Sequence, residues 1–274
     1  MKLEDVFEQT HRLPTIPKIV QELIDSFNDE GIEIGRIAQK IALDQVITAK
    51  VLRLANSVHF GATRRIGTVN EAMVVLGFNT VRTLVIASGI TGAFITTPGF
   101  DRKQFWHKSL TVASDARWLA SKAKLPPEMA FTCGILHSIG EMLVHVVAPD
   151  VAAKIEQHLS EGGTGASLTE NGIDFDFVTA GVELVRRWNF PNTIVEALRH
   201  QNDPAGQTPP DCLSAILNLA IRLQREGKTA DELQAVLADT SDALLQQARL
   251  DRGQLVEHLP ELLELRGALD ELVG

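Results

Sequence analysis

The chain has 274 residues, is 45% hydrophobic and 22% charged, and carries a formal net charge of −9. The deficit is uneven: residues 1–100 hold ten Lys+Arg against ten Asp+Glu, and residues 101–274 hold 16 against 25. A broad basic face for nucleic acid is therefore not expected, and a chain of this length can bury about 70–75% of its unfolded surface.

Met1–Glu8 alternates in charge, and no run of about 18 apolar residues stands out, so neither a signal peptide nor a membrane span is expected. Cys133 and Cys212 are too few for a disulfide framework and read as reduced thiols, which agrees with a cytoplasmic location.

Leu13-Pro14-Thr15-Ile16-Pro17 opens the first clear element, with Thr15 as expected N-cap and Pro17 in the first turn. Ile16, Ile19, Val20, Leu23, Ile24 and Phe27 then form one apolar face that stops at Gly31. A second helix is predicted from Ile34 to Leu43. Asp44 caps a third, whose Val46, Ile47, Val51 and Leu54 are expected inside. Asn56 and Gly61 bracket a turn in Asn56-Ser57-Val58-His59-Phe60-Gly61. Thr68 to Ala72 leads to Leu76-Gly77-Phe78, and a further helix runs from Thr80 to Phe94. Arg53, Arg64, Arg65 and Arg82 are the candidates for a small anion-contacting patch. Thr96-Thr97-Pro98-Gly99 is the clear break in mid-chain.

Beyond it, Arg102 to Lys124 reads as a helix with Trp106, Leu110, Ala113, Ala116, Leu119 and Ala120 inward. His107, Thr111 and Ser114 form a polar stripe beside that core and are expected to wall a polar cavity. Pro126 and Pro127 start the next helix, read as continuous through Phe131–Val147, with His137-Ser138 inside its apolar run. The loop Glu161-Gly162-Gly163-Thr164-Gly165 follows a helix rather than a strand and lacks a P-loop lysine, so it reads as a connection. Helices then follow at Asp176–Trp188, Ile194–His200 and Asp211–Arg225, with polar and acidic helices to the end. No period-two run appears, and the class is all-α.

These segments, over about Leu13 to Pro204, resemble the HDOD (HD-related output domain) family, a branch of the HD superfamily of metal-dependent phosphohydrolases. The opening Leu-Pro-x-x-Pro carries the resemblance, with Asn56-Ser57-x-x-Phe60-Gly61, Ala72-x-x-x-Leu76-Gly77, and Gly181-x-x-Leu184-x-x-x-Trp188. It implies a multi-helical, two-lobed bundle, divided here as 1–97, 98–204 and a helical extension over 205–274. The HD pattern has a histidine, a His-Asp dyad and a distant Asp. Here these fall at His107, at His137-Ser138, and near Ala220-Ile221, where no carboxylate stands. Phe177 occupies a position where family members often carry histidine, and of a pair of histidines ending the Ile194 helix only His200 remains, followed by Gln201.

A catalytic metal that polarises a phosphate oxygen needs carboxylate ligands beside imidazoles, and the Ser138 hydroxyl brings no charge. The resemblance therefore implies a bacterial signalling or regulatory protein without inherited catalysis and with no cofactor. It would act by binding a partner protein or a small ligand, with oligomeric state open. The alternative is a metal-dependent phosphohydrolase or phosphodiesterase acting on a nucleotide through an altered site. In it Glu141, one helical turn after His137, joins His107, His137 and His200 to hold iron, zinc or manganese.

Overall fold

The computed structural model describes residues 1–9, 13–28, 33–56, 64–94, 100–162 and 172–273, and among these residues every regular element is helical. The first helices are α1 (Leu3–Glu8), α2 (Lys18–Asp25), α3 (Ile34–Leu43), α4 (Gln45–Ala55), α5 (Val69–Leu76) and α6 (Phe78–Ala93). Helix α6 has no polar face because neighbours surround it: α2, α4, α5 and α8 (Pro127–Leu136) all pack on it, and Val81, Leu84, Val85, Ile86 and Ile90 are buried.

Local chemistry explains the helix starts. Asp44 accepts from the Ile47 amide at 2.9 Å, and Thr68 accepts from the Glu71 amide at 3.1 Å, each satisfying an orphan first-turn donor. Between α5 and α6 only Gly77 intervenes, at φ 83°, which accounts for glycine after Leu76. The Asn56 amide donates to Leu52 O at 2.7 Å and Ile66 O at 2.8 Å, and accepts from Ile66 N–H at 2.7 Å. It thus ties the end of α4 to the backbone of Ile66, ten residues on.

Two local expectations fail. Helix α2 begins at Lys18 with Pro17 in the cap position, so Thr15 is exposed and caps nothing. Val46 is 66% exposed, while Ile47 and Val51 point inward. The Asp44 side chain fixes the phase of α4, and Val46 falls on the outer side. Gly31, Ser57, Phe60, Gly61, Thr96 to Gly99 and Gly163 to Gly165 lie outside the described residues.

The remaining helices are α7 (Arg102–Lys122), α8, α9 (Ile139–Val147), α10 (Pro149–Ser160), α11 (Phe177–Arg187), α12 (Asn192–Arg199), α13 (Cys212–Glu226), α14 (Ala230–Asp239), α15 (Asp242–Gln247), α16 (Arg252–Glu257) and α17 (Leu259–Val273). Helix α7 is the axis: α8, α13 and α17 pack along it. Buried Asp115 on α7 receives both arms of the Arg266 guanidinium from α17, and Arg266 also donates to Gly227 O at 2.6 Å. Burial pushes the Asp115 carboxyl up to about 6, against the opposing pull of Arg266.

The expected continuous helix over 131–147 is two helices, α8 and α9, with His137-Ser138 at the joint. By length and apolar composition Pro127–Val147 meets the test for a membrane-crossing span, contrary to the reading of the sequence. Its most apolar stretch is 72% buried inside the fold, and the helix is interrupted at His137-Ser138.

Candidate functional site

Two glycines hold the joint between α8 and α9. A Cβ on Gly134 would stand 2.3 Å from Ala113 Cα on α7. One on Gly140 would stand 1.9 Å from Phe177 O and 2.4 Å from Gly181 N on α11. Backbone therefore meets backbone on both sides of His137-Ser138, and the turn is pinned between α7 and α11. The buried side chain of Gln201 supports it from behind, donating to His137 O at 3.0 Å, while Asn218 donates to Gln201 O at 2.7 Å.

His137 Nδ1 lies 2.7 Å from Gly134 O. A carbonyl only accepts, so Nδ1 carries the proton and Nε2 is left as an acceptor. Part of the residue faces a cavity, yet protein surrounds the ring, and burial pushes its pKa down to about 4 against the raising effect of the Gly134 carbonyl. The imidazole is neutral at pH 7. Ser138 Oγ lies 3.2 Å from Ser109 Oγ on α7, so the residue at the dyad's second position forms a hydroxyl pair.

The cavity in front of this joint measures 670 Å³. Helix α7 and its approach contribute Phe100, Asp101, Gln104, Phe105 and Lys108. Helices α9 and α10 contribute Glu141, His145 and Glu156, and α13 with its end contributes Ile221, Gln224, Arg225 and Lys228. Three cations thus face three carboxylates across one space.

His145 is the best-fixed of these side chains. Its ring lies 4.7 Å from Phe100 and 6.3 Å from Phe177, centroid to centroid, and its Nε2 lies 2.9 Å from Glu156 Oε1. Phe177, where family members often carry histidine, thus serves as a wall for another histidine. Glu141 is half-buried, and burial raises its carboxyl above the ordinary range, with Glu156 adding to the shift and His145 and Lys108 opposing it.

The residues singled out in the sequence do not all converge. His137, Ser138 and Glu141 line the cavity, as does Ile221 at the expected place of the distant aspartate. His107 lies on the flank of α7 outside the lining, its carbonyl accepting from Thr111 Oγ1 at 2.9 Å, and Gln104 and Lys108 face the space instead. Thr111 and Ser114 are buried and are not among the residues lining this cavity. His200 is also outside the lining, 3.7 Å from Glu196 on its own helix. Arg64 and Arg65 are exposed. The Arg82 guanidinium stacks 3.8 Å from the Phe27 ring centre and donates to Ser26 O and Asn79 Oδ1. Cys133 is buried in the core, which pushes its thiol up and leaves it inert.

The inherited metal does not fit these positions. Ser138 offers a neutral hydroxyl already paired with Ser109, and His107 and His200 are not among the residues lining His137's cavity. Among the described residues, the three His/Cys/Asp/Glu side chains whose ligand atoms come within 4.8 Å of one another are Glu141, His145 and Glu156. The reading of the sequence missed His145 and Glu156. The Glu141–His145 spacing of one helical turn was a usable signal, but nothing local marks Glu156.

Comparison with known proteins places these features in context. The HDOD domain family matches residues 13–204. The crystal structure of a "putative phosphohydrolase" from Shewanella amazonensis SB2B is 33% identical, covers 98% of both chains and superposes with a TM-score of 0.82. An HDOD domain protein of unknown function from Geobacter sulfurreducens is 24% identical, with 98% of this chain and 97% of that one covered and a TM-score of 0.80. A "putative signal transduction protein" from Marinobacter aquaeolei VT8 is 22% identical with a TM-score of 0.73, covering all of this chain and 61% of that one. An uncharacterized protein of Treponema pallidum is 23% identical over 227 residues, and the match spans 80% of this chain but 44% of that curated relative.

Proposed function

Because the chain belongs to the HDOD domain family, we propose that it is a bacterial regulatory protein that works by binding a small anionic ligand in the cavity before His137-Ser138, without hydrolysing it. One observation carries the reading: Lys108, Arg225 and Lys228 border a 670 Å³ space in which the family's catalytic positions hold Ser138 and Ile221. The same lining holds Asp101, Glu141 and Glu156, so the counter-charges for an anion are those of Arg225 and Lys228 at the end of α13, with Lys108 from α7. A neutral serine and an isoleucine supply neither metal charge nor a base for attacking water. The family's signalling role and the name of the Marinobacter neighbour agree with this reading. Occupancy would be passed on through α9 and α13, which share the cavity.

The test is thermal unfolding with pyrophosphate as probe, in the wild type and in an Arg225→Ala/Lys228→Ala variant. Binding predicts a concentration-dependent rise in Tm that the variant loses. No rise, or an equal rise in both, overturns the proposal.

The second reading, a metal-dependent phosphohydrolase, draws support from the name of the 33% identical Shewanella protein. It requires turnover of a chromogenic phosphodiester with manganese that His137→Ala abolishes. Such turnover would replace the binding reading.

A further inference from the structure

Glu141, His145 and Glu156 have a geometry that the hydrogen bond between His145 and Glu156 does not account for. Glu141 and His145 sit four residues apart on α9 and so share a face, and both line the cavity. Glu156 reaches the same point from α10, and the three ligand atoms lie within 4.8 Å of one another. We propose that this trio is a binding site for a divalent transition-metal ion, zinc being the reference case, displaced along α9 from the dyad.

Charge is the first argument. The trio brings two carboxyl groups to one imidazole, and His145 is already engaged by Glu156. Glu141 is then a half-buried carboxylate facing a second carboxylate, with no cation of its own within ion-pair distance among the described residues. Two carboxylates held close repel, and a divalent ion between them removes the repulsion.

Preorganisation is the second. Phe100 and Phe177 pack beside the His145 ring, and its Nε2 lies 2.9 Å from Glu156 Oε1. Fixing a ligand ring in this way is what a second shell does in metal sites. The Phe177 that departs from the family pattern thus gains a role in placing another ligand.

Ligand chemistry is the third. One imidazole and two carboxylates suit zinc, iron or manganese, whereas magnesium and calcium favour all-oxygen sets. Zinc bound at about 2.0–2.2 Å requires the ligand atoms, which lie within 4.8 Å of one another, to draw closer together. Glu156 is an exposed side chain that can make that adjustment. Three protein ligands leave a coordination position open to the cavity. The inference stands apart from anion binding, since it requires no anion.

The experiment is zinc binding by competition with a chromophoric chelator, in protein stripped of metal and then dialysed free of the stripping agent. Wild type, Glu156→Gln and His137→Gln are compared, with circular dichroism confirming the fold of each. The result expected is one zinc per wild-type chain, at least tenfold weaker binding in Glu156→Gln, and unchanged binding in His137→Gln. Absence of stoichiometric binding, unchanged affinity in Glu156→Gln, or loss in a folded His137→Gln overturns the proposal.

Discussion

Arg266 grips Asp115 with both arms of its guanidinium, joining α17 to the buried centre of α7. Removing the cation alone leaves a carboxylate with no solvent and no partner. Arg266→Leu is expected to cost about 3–5 kcal/mol. Arg266→Leu combined with Asp115→Leu recovers much of the loss, because no buried charge is stranded. Urea denaturation followed at 222 nm measures both, and equal destabilisation by the single and double replacements would contradict the pairing.

Gly140→Ala should be among the most disruptive small substitutions in the chain. Its new methyl would meet Phe177 O and the Gly181 backbone, atoms that cannot rotate away. Overpacking of this kind costs about 1–3 kcal/mol, and backbone contact on both elements puts this case at the upper end. Solubility and Tm report the outcome. Gly35→Ala, whose Cβ meets nothing within 4 Å, is the control expected to leave both unchanged.

Stability should fall in acid partly through His137. Its folded pKa of about 4 lies below the ordinary 6.5. The unfolded chain therefore binds the proton more readily, and this contribution is complete above about pH 6.5. It is lost as pH falls from 6.5 towards 4, reaching about 2 kcal/mol at pH 5. Denaturant midpoints between pH 7 and pH 5 for the wild type and His137→Gln isolate the effect. The variant should show a shallower decline.

Asn56 uses its amide as donor and acceptor at once, to Ile66 O and from Ile66 N–H. Aspartate can only accept, so Asn56→Asp should destabilise nearly as much as Asn56→Ala, by about 1–2 kcal/mol. Full retention of stability in the aspartate variant would show that the donor half contributes nothing.

Much of this fold was legible because apolar periodicity reports directly on helices: α3 runs over Ile34–Leu43 as expected, and Asp44 caps α4. The joint at His137-Ser138 was not legible. Apolar residues continue in phase across it, while the backbone of Gly134 and Gly140 meets α7 and α11 from either side of the break. The site was legible in part. Ser138 and Glu141 were found through motif and spacing, and both line the cavity. Glu156, Lys108, Lys228 and Gln201 reach the region from separate parts of the chain, and a surface lysine or glutamate carries no mark of what it will face.

The Asp115–Arg266 pair also bears on synthesis, since its members are 151 residues apart in the chain. Helix α7 leaves the ribosome long before its cation does. Until Arg266 emerges, the Asp115 carboxyl must stay hydrated or hold a proton, and the groove awaiting α17 stays open. The nascent chain can assemble the helices around α6 early. Sealing of the α7 axis therefore waits for a residue made 151 positions after its partner.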